Sequence, residues 1–323
     1  MQTTDYKEFI KQNLDYTLEE TNFDFGTKKQ GKVRDGYFVD DKVYFVSTDR
    51  QSAFDRILAG IPFKGQVLNQ TSSWWFQKTK EITPNHFLES PDPNVSLCNK
   101  HQIFPVEVVI RDYLTGTTGT SIWQNYQKGV RNYCGSQLPE GLTKNQKLPQ
   151  TIITPTTKSD IHDELISREE IVTKGLATQK EWDYISRKAL EIFDFAQREV
   201  DKRGLILVDT KLEFAKDEQG NIFLADEIFT PDSSRFWLKE SYQERISKGQ
   251  EPENIDKEFL RLWFVENCDP YNDKDLPPAP NELITELSLR YIRLYEMITG
   301  NIFDFPDTGS SLTQRIQDNL QFK

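Results

Sequence analysis

The chain has 323 residues, with 40 Lys and Arg against 51 Asp and Glu, giving a net charge of −11. Hydrophobic residues make up 36% and aromatics 12%, too many for a solvated, unfolded chain, and the length allows two domains or one large α+β unit. No stretch reaches the roughly 18 apolar residues of a membrane span, and the acidic balance disfavours bulk capture of nucleic acid, so neither partner is expected.

The N-terminus, MQTTDYKEFIKQNLDYTLEE, lacks an apolar h-region and a cleavage site, so a cytoplasmic location is expected. Its first 25 residues carry a weak helical pattern. Tyr37 to Val39 and Val43 to Ser47 are then short β-rich runs around Asp40, Asp41 and Lys42, which predicts a strand, tight turn and strand. From Gly65 the apolar positions Val67, Leu68, Trp74 and Trp75 predict a helix ending before Pro84. Cys98, Cys134 and Cys268 are odd in number and far apart, so reduced thiols are expected rather than a disulfide framework or zinc cluster.

Val106, Val108 and Ile110 predict a strand running into Arg111 and the loop GTTGT, after which Ser121 is placed to cap a short helix. Residues 131 to 159 are rich in Gly, Pro, Thr, Gln and Asn, a composition expected of a long loop or arm able to close over a site. Thr178 to Glu181 forms a capping box ahead of the stripe Trp182, Ile185, Ala189, Ile192, Phe193, Ala196 and Val200, closed by Gly204. LILVDTKLEFAKDEQGNIFLADEIF predicts two strands around a turn at Asp217 to Asn221, and a final helix carries Leu283, Leu287, Tyr291, Leu294 and Ile298 on one face.

The chemistry collects in three places. Strand alternation separates Ile206, Val208, Thr210, Leu212 and Phe214 from Leu207, Asp209, Lys211 and Glu213. In isolation that pattern fits a solvated strand face, but Asp226 and Glu227 end the next, otherwise apolar strand. Glu213 and Asp226 beside Lys211 are therefore candidates to hold Mg²⁺ against a nucleotide's phosphates. In GKVRDG, glycines allow close backbone approach to phosphate, with Lys32 and Arg34 alternating; on these six residues alone a plain β-turn with exposed basic residues is the favoured reading, and neither a Walker A nor a Rossmann pattern is present. In TPDSSRFW, Arg235 can grip a phosphate or carboxylate with Ser233 and Ser234 nearby. Arg111 with its loop, and Lys158 with Asp163, repeat that composition. His162 beside Asp163 is as readily an exposed loop residue as a general base, and His86 and His101 have no metal-ligand spacing.

Taken in order, GKVRDGY, STDRQSAFD, GIPFKGQVLNQTSSWWF, PVEVVIRDYLTG, TPTTKSDIHDE, LILVDTKLEF, ADEIFTPDSSRFW and SLRYIRLYEMITG resemble the SAICAR synthetase family along almost the whole chain. The resemblance implies an α+β fold. A kinase-like β-rich N-terminal nucleotide lobe over 1–105 would be joined to a larger α+β lobe over 106–323, with the ATP site between them. It implies an ATP-dependent ligase that condenses the aminoimidazole ribonucleotide CAIR with L-aspartate, using ATP and Mg²⁺. Gly31, Lys32, Val33, Arg34, Asp35 and Gly36 would cover the nucleotide phosphates, with Lys211 and Glu213. Glu213 and Asp226 would hold the metal. Asp55, Arg111, Thr117 or Ser121, Lys158, Asp163, Ser234 and Arg235 would bind substrate, and Lys211, Asp209 and Asp232 would serve catalysis.

Asp112 and the long LTGTTGTSIW turn depart from many relatives, which leaves open whether Thr117, Thr118 or Ser121 grips phosphate. Monomer and small homo-oligomer are both compatible with the family. The same ATP and Mg²⁺ apparatus would also suit a small-molecule kinase, and a nucleotide-binding regulatory module is a third possibility.

Overall fold

The computed structural model describes residues 3–54, 56–117, 119–158, 164–255 and 258–320. The chain forms two compact units, one of Met1–Trp75, Phe87–Lys100 and Ile255–Lys323, the other of Phe76–His86 and His101–Asn254. The single boundary expected at 105/106 is thus replaced by a chain that returns to its first unit.

The first unit starts with α1 (Thr3–Gln12), which confirms the weak helical pattern and buries Tyr6 and Ile10. Strands β1 (Thr27–Gln30), β2 (Arg34–Val39) and β3 (Lys42–Ser47) follow as an antiparallel meander. Asp40 takes the left-handed conformation, φ 48°, that the tight turn between β2 and β3 demands. A separate hairpin, β4 (Arg50–Ala53) with β5 (Arg56–Gly60), leads to α2 (Lys64–Thr79), the helix expected from Gly65 onward. Strands β6 (Phe87–Asp92) and β7 (Val95–Asn99) complete a five-stranded sheet in the order β1-β2-β3-β7-β6.

The second unit is built on a seven-stranded sheet. Its members begin with β8 (Gln102–Ile103) and β9 (Val106–Tyr113), and β9 is covered on both faces: Glu107, Arg111 and Asp112 are buried along with Val106, Val108 and Ile110. Helix α3 (Ile122–Gln127) starts at Ser121, which has extended N-cap dihedrals but makes no side-chain capping bond. The segment expected as a polar arm instead contains β10 (Asn132–Tyr133), β11 (Ser136–Gln137), β12 (Lys147–Ile153) and β13 (Thr156–Thr157). Both β12 and β13 pair with β9, and Tyr133, Leu138, Leu148 and Ile152 share a core with Leu114, Ile122 and Tyr126. A segment that is half of a hydrophobic core cannot swing as a lid without exposing it.

Helix α4 (Arg168–Thr173) and α5 (Gln179–Asp201) both begin in complete capping boxes, at Ser167 and Thr178. All seven predicted stripe residues of α5 are buried, and α5 packs on β9 and on β14 (Leu205–Lys216). Asp112 explains itself here, accepting from Gln197 of α5 at 2.8 Å and from Thr151 of β12 at 2.7 Å. β14 pairs with β9, β8, β15 (Ile222–Ala225) and β16 (Ser234–Leu238), making it the sheet's hub. α6 (Lys239–Ser247) closes the unit with Tyr242 on Tyr113 and Trp237.

The segment Ile255–Lys323 rejoins the first unit, carrying α7 (Glu258–Asn267), α8 (Asn281–Thr299) and α9 (Leu312–Asn319). Of the α8 face predicted from Leu283, Leu287, Tyr291, Leu294 and Ile298, Leu283 is half-buried and the rest are buried, and Leu287 and Tyr291 join Tyr6 and Ile10 of α1 in one core. This contact between the ends of the chain is the physical reason for the return. Arg315 of α9 fixes Asp92 at 2.9 Å and 3.1 Å.

Candidate active site

The second unit's sheet register assembles a charged row on adjacent strands. Asp209 of β14 lies opposite Arg111 of β9 on one side and Arg235 of β16 on the other. Two residues along the same strand, Lys211 projects to the same face, roughly 7 Å further on. Asp209 is 6% exposed and Glu213 2%, so the solvated-face explanation fails: burial of these charges is sustained by cations on neighbouring strands.

At the arginine end, Arg235 Nη1 bonds Asp209 Oδ2, and Arg111 Nη1 lies 3.8 Å from the same oxygen. Arg111 also donates through Nε to Thr154 Oγ1 at 2.8 Å and through Nη2 to the Thr120 carbonyl at 3.3 Å. Burial pushes the Arg111 guanidinium below its ordinary pKa, and Asp209 opposes that shift. Gly116, at φ 101°, lets the GTTGT loop come this close: a Cβ there would lie 2.5 Å from Ser121 Cβ and 3.5 Å from Arg235 Nη1. Two guanidiniums and a glycine loop make a basic end, with Ser121 buried and Thr117 exposed on the loop.

At the other end, Lys211 Nζ donates to Glu213 Oε1 at 2.8 Å and Glu107 Oε1 at 2.9 Å, and lies 4.0 Å from Asp226 Oδ2. Burial works against this ammonium, but Glu213, Asp226 and Glu107 outweigh it and hold its pKa well above the ordinary lysine value. Lys158 bonds the second oxygen of Glu213, and Thr156 donates to the second oxygen of Glu107 at 2.9 Å. Glu107 was missed from sequence. Its signal was the alternation of Glu107, Val109 and Arg111 against Val106, Val108 and Ile110, which puts Glu107 on the Arg111 face.

Asp226 sits just beyond β15 at φ 66°, a left-handed strain for a non-glycine residue. Its neighbour Glu227 turns to structure, accepting from Thr230 Oγ1 at 2.7 Å, and Thr230 in turn accepts from the Asp232 and Ser233 amides. Asp232 therefore stands in a turn braced at its backbone. Ser234 is not brought to the site. Its hydroxyl is buried and meets Thr210 Oγ1 at 2.8 Å, because adjacent strand residues face opposite ways and Arg235 takes the site face.

In the first unit, Gly31 to Arg34 form the turn joining β1 and β2, closed by Gly31 N–H donating to the Arg34 carbonyl at 2.9 Å. Lys32 is exposed. Asp35 differs from its expected role: it is fully buried and ion-paired to Arg50 at 2.6 Å, so it braces the turn from within. Gly36 lies buried in β2. Asp55, Thr118, His162 and Asp163 lie outside the described residues. Among those described, no group of three or more His, Cys, Asp or Glu side chains is arranged to hold a metal ion, and no helix is long and apolar enough to cross a membrane.

A basic end beside a lysine set among carboxylates is equipment that suits an enzyme of phosphorylated, multiply anionic substrates. Comparison with known proteins narrows the class. The SAICAR synthetase family model matches residues 27–278. A phosphoribosylaminoimidazole-succinocarboxamide synthase of Legionella pneumophila (strain Lens) is 56% identical over 308 residues, 95% of this chain and 99% of the relative. The solved SAICAR synthase of Saccharomyces cerevisiae, complexed with SAICAR, superposes with a TM-score of 0.77 at 31% identity, covering 89% of this chain and 100% of that one. A SAICAR synthetase solved in complex with ADP gives 0.66 at 27% identity, over 86% and 100%. The chain belongs to the SAICAR synthetase family.

Proposed function

We propose that this chain is the ATP-dependent ligase that joins the carboxylate of CAIR to the amine of L-aspartate, releasing SAICAR, ADP and phosphate in purine biosynthesis. The observation that carries the assignment of roles is the register of β9, β14 and β16, which sets Arg111, Asp209 and Arg235 in one row and Lys211 with Glu107 and Glu213 in the next. The bound SAICAR and ADP of the two related structures support the same pair of ligands here.

In this reading Arg111, Arg235 and the Gly116–Ser121 loop hold the ribonucleotide's phosphate, which points its far end along β14 toward Lys211. A carboxylate is a poor acyl donor. The CAIR carboxylate oxygen therefore attacks the γ-phosphorus of ATP, the bond to ADP breaks, and an acyl phosphate forms. The amine of aspartate then attacks the acyl carbon and phosphate leaves. Lys211 contributes a fixed positive charge beside the transferring group, kept protonated by its three carboxylates. Lys158 adds a second ammonium at Glu213. In the first unit, the Gly31–Arg34 turn is read as a phosphate-binding turn for the nucleotide, with Asp35 bracing it from within.

Glu213 and Asp226 offer hard oxygen ligands and fit Mg²⁺ shared with substrate phosphates, a mode in which the protein supplies only one or two carboxylates. The Lys158 side chain at Glu213 is 44% exposed and so can move aside. When bound, the ion supplies charge neutralisation at the phosphates.

A small-molecule kinase would use similar groups, and L-aspartate separates the two. ADP release is measured with CAIR, L-aspartate, ATP and Mg²⁺, omitting each in turn. The ligase requires both CAIR and aspartate; a stable phosphorylated product formed without aspartate would establish the kinase instead.

A further inference from the structure

The segment Ser47 to Arg50 lies behind the Gly31–Arg34 turn, and its bonds converge on consecutive carbonyls of that turn. Arg50 donates through Nη2 to the Gly31 carbonyl at 3.0 Å and through Nε to the Lys32 carbonyl at 3.1 Å. Thr48 donates to the Val33 carbonyl twice, from its amide at 3.0 Å and its hydroxyl at 2.7 Å. Arg50 is itself pinned. It donates to the Glu19 carbonyl at 2.7 Å and to Asp35 at 2.6 Å, and Asp35 accepts again from Thr21 at 2.6 Å. Arg50 is 4% exposed and Asp35 0%. Burial works to raise the Asp35 carboxyl, but Arg50, Thr21 and Lys28 outweigh it and hold it below the usual carboxylate range, so the pair is ionic.

The consequence follows from peptide geometry. In a planar trans peptide the carbonyl of one residue and the N–H of the next point in opposite directions. Drawing the Gly31, Lys32 and Val33 carbonyls inward onto Arg50 and Thr48 therefore aims the N–H groups of Lys32, Val33 and Arg34 outward. Successive N–H groups aimed the same way form an anion-binding concavity.

We infer that Arg50 and Thr48 are positioning residues for nucleotide binding: they lock the peptide planes of the Gly31–Arg34 turn so that its amides face a polyphosphate. The inference rests on the reading of this turn as the phosphate-covering loop. Neither residue touches the nucleotide. A lysine at position 50 would keep the charge beside Asp35 but lose the planar fork that bridges two carbonyls.

The test is Arg50→Lys, with Thr48→Val as a milder second variant and Gly31→Ala as a probe of the turn, since a Cβ at Gly31 would lie 2.4 Å from the Arg34 carbonyl oxygen. The readouts are ADP affinity by calorimetry and KM for ATP, CAIR and L-aspartate separately. Arg50→Lys is expected to weaken ADP binding and raise KM for ATP by about tenfold or more, and Thr48→Val by roughly threefold, with KM for CAIR and aspartate within about twofold. If Arg50→Lys does not fold, Thr48→Val decides by the same readouts. A uniform rise in all three KM values would mark a merely structural role and overturn the inference. Normal ADP affinity in Arg50→Lys and Thr48→Val, with loss in Gly31→Ala, overturns the positioning role but leaves the phosphate turn standing. Normal affinity in Gly31→Ala removes both.

Discussion

Replacing Lys211 by methionine removes one ammonium and strands the carboxylates around it. Lys211 Nζ is 2.8 Å from Glu213 and 2.9 Å from Glu107; at an effective dielectric near 20 each contact is worth roughly 6 kcal/mol of attraction, most of it cancelled by desolvation. The cost of the substitution is the charge left behind. Among the described residues, Glu213, 2% exposed, keeps only Lys158 as a cation in bonding range, and Glu107, 8% exposed, keeps the Thr156 hydroxyl. Breaking a buried pair costs about 3–5 kcal/mol, and the Lys211 side chain is 31% exposed, which argues for about 3 kcal/mol at the lower end of that range. Lys211→Met should lower the urea midpoint accordingly and abolish ADP release. Adding Glu107→Gln removes one stranded charge and should recover about 1–2 kcal/mol with no return of turnover. A Lys211→Met chain as stable as the parent, or a double variant that regains turnover, would refute the assignment of Lys211 as both the electrostatic keystone of this face and the group needed by the chemistry.

Three further outcomes are expected. Asp226→Asn should shift the Mg²⁺ dependence of ADP release to higher concentration by about tenfold or more, with the fold kept; an unchanged titration would remove Asp226 from the metal site. Arg235→Ala should raise KM for CAIR by about tenfold or more while leaving KM for ATP within about twofold, and equal rises would contradict the phosphate assignment. Asp49, fully buried in the first unit, accepts from the amides of Leu18 and Gly65 at 2.7 Å each, yet desolvation outweighs these bonds, Lys64 and Arg315 and lifts its pKa from 3.8 to about 6. A folded pKa raised in this way favours the folded state below pH 3.8, and the advantage is lost as pH rises through 6. The loss amounts to about 3 kcal/mol. Stability of the parent minus that of Asp49→Asn, from urea midpoints, should fall by that amount between about pH 4 and 7; a flat or rising difference would exclude the buried-carboxylate account.

Much of the fold was legible because local signals were redundant. Helix α5 had a capping box and a seven-residue stripe, and both are found in place. The β14–β15 hairpin was announced by its turn at Asp217 to Asn221, where Asp217 accepts from the Gln219 and Asn221 amides. The 131–159 segment was misread for the opposite reason. Its composition is polar, but its few apolar residues find partners at Leu114, Ile122 and Tyr126, and no local window contains both halves of that core. The return of residues 255–323 was invisible on the same ground, since α1 and α8 meet across nearly the whole length of the chain.

The site shows where composition misleads and register corrects it. Ser233, Ser234 and Arg235 look like one cluster of donors in sequence, yet Ser234 bonds Thr210 while Arg235 bonds Asp209, since a strand sends neighbours to opposite faces. Asp209, Lys211 and Glu213 share a face in any strand, and nothing within β14 distinguishes a solvated face from a buried one. The distinction comes from β9, about a hundred residues earlier, whose Arg111 and Glu107 bond or pair with Asp209 and Lys211. A net charge of −11 therefore says little about what this protein binds. Within a few ångströms, Arg111, Arg235, Lys158 and Lys211 are each set against an acid that fixes their position, and cations held in place by acids can present themselves to phosphate without rearrangement.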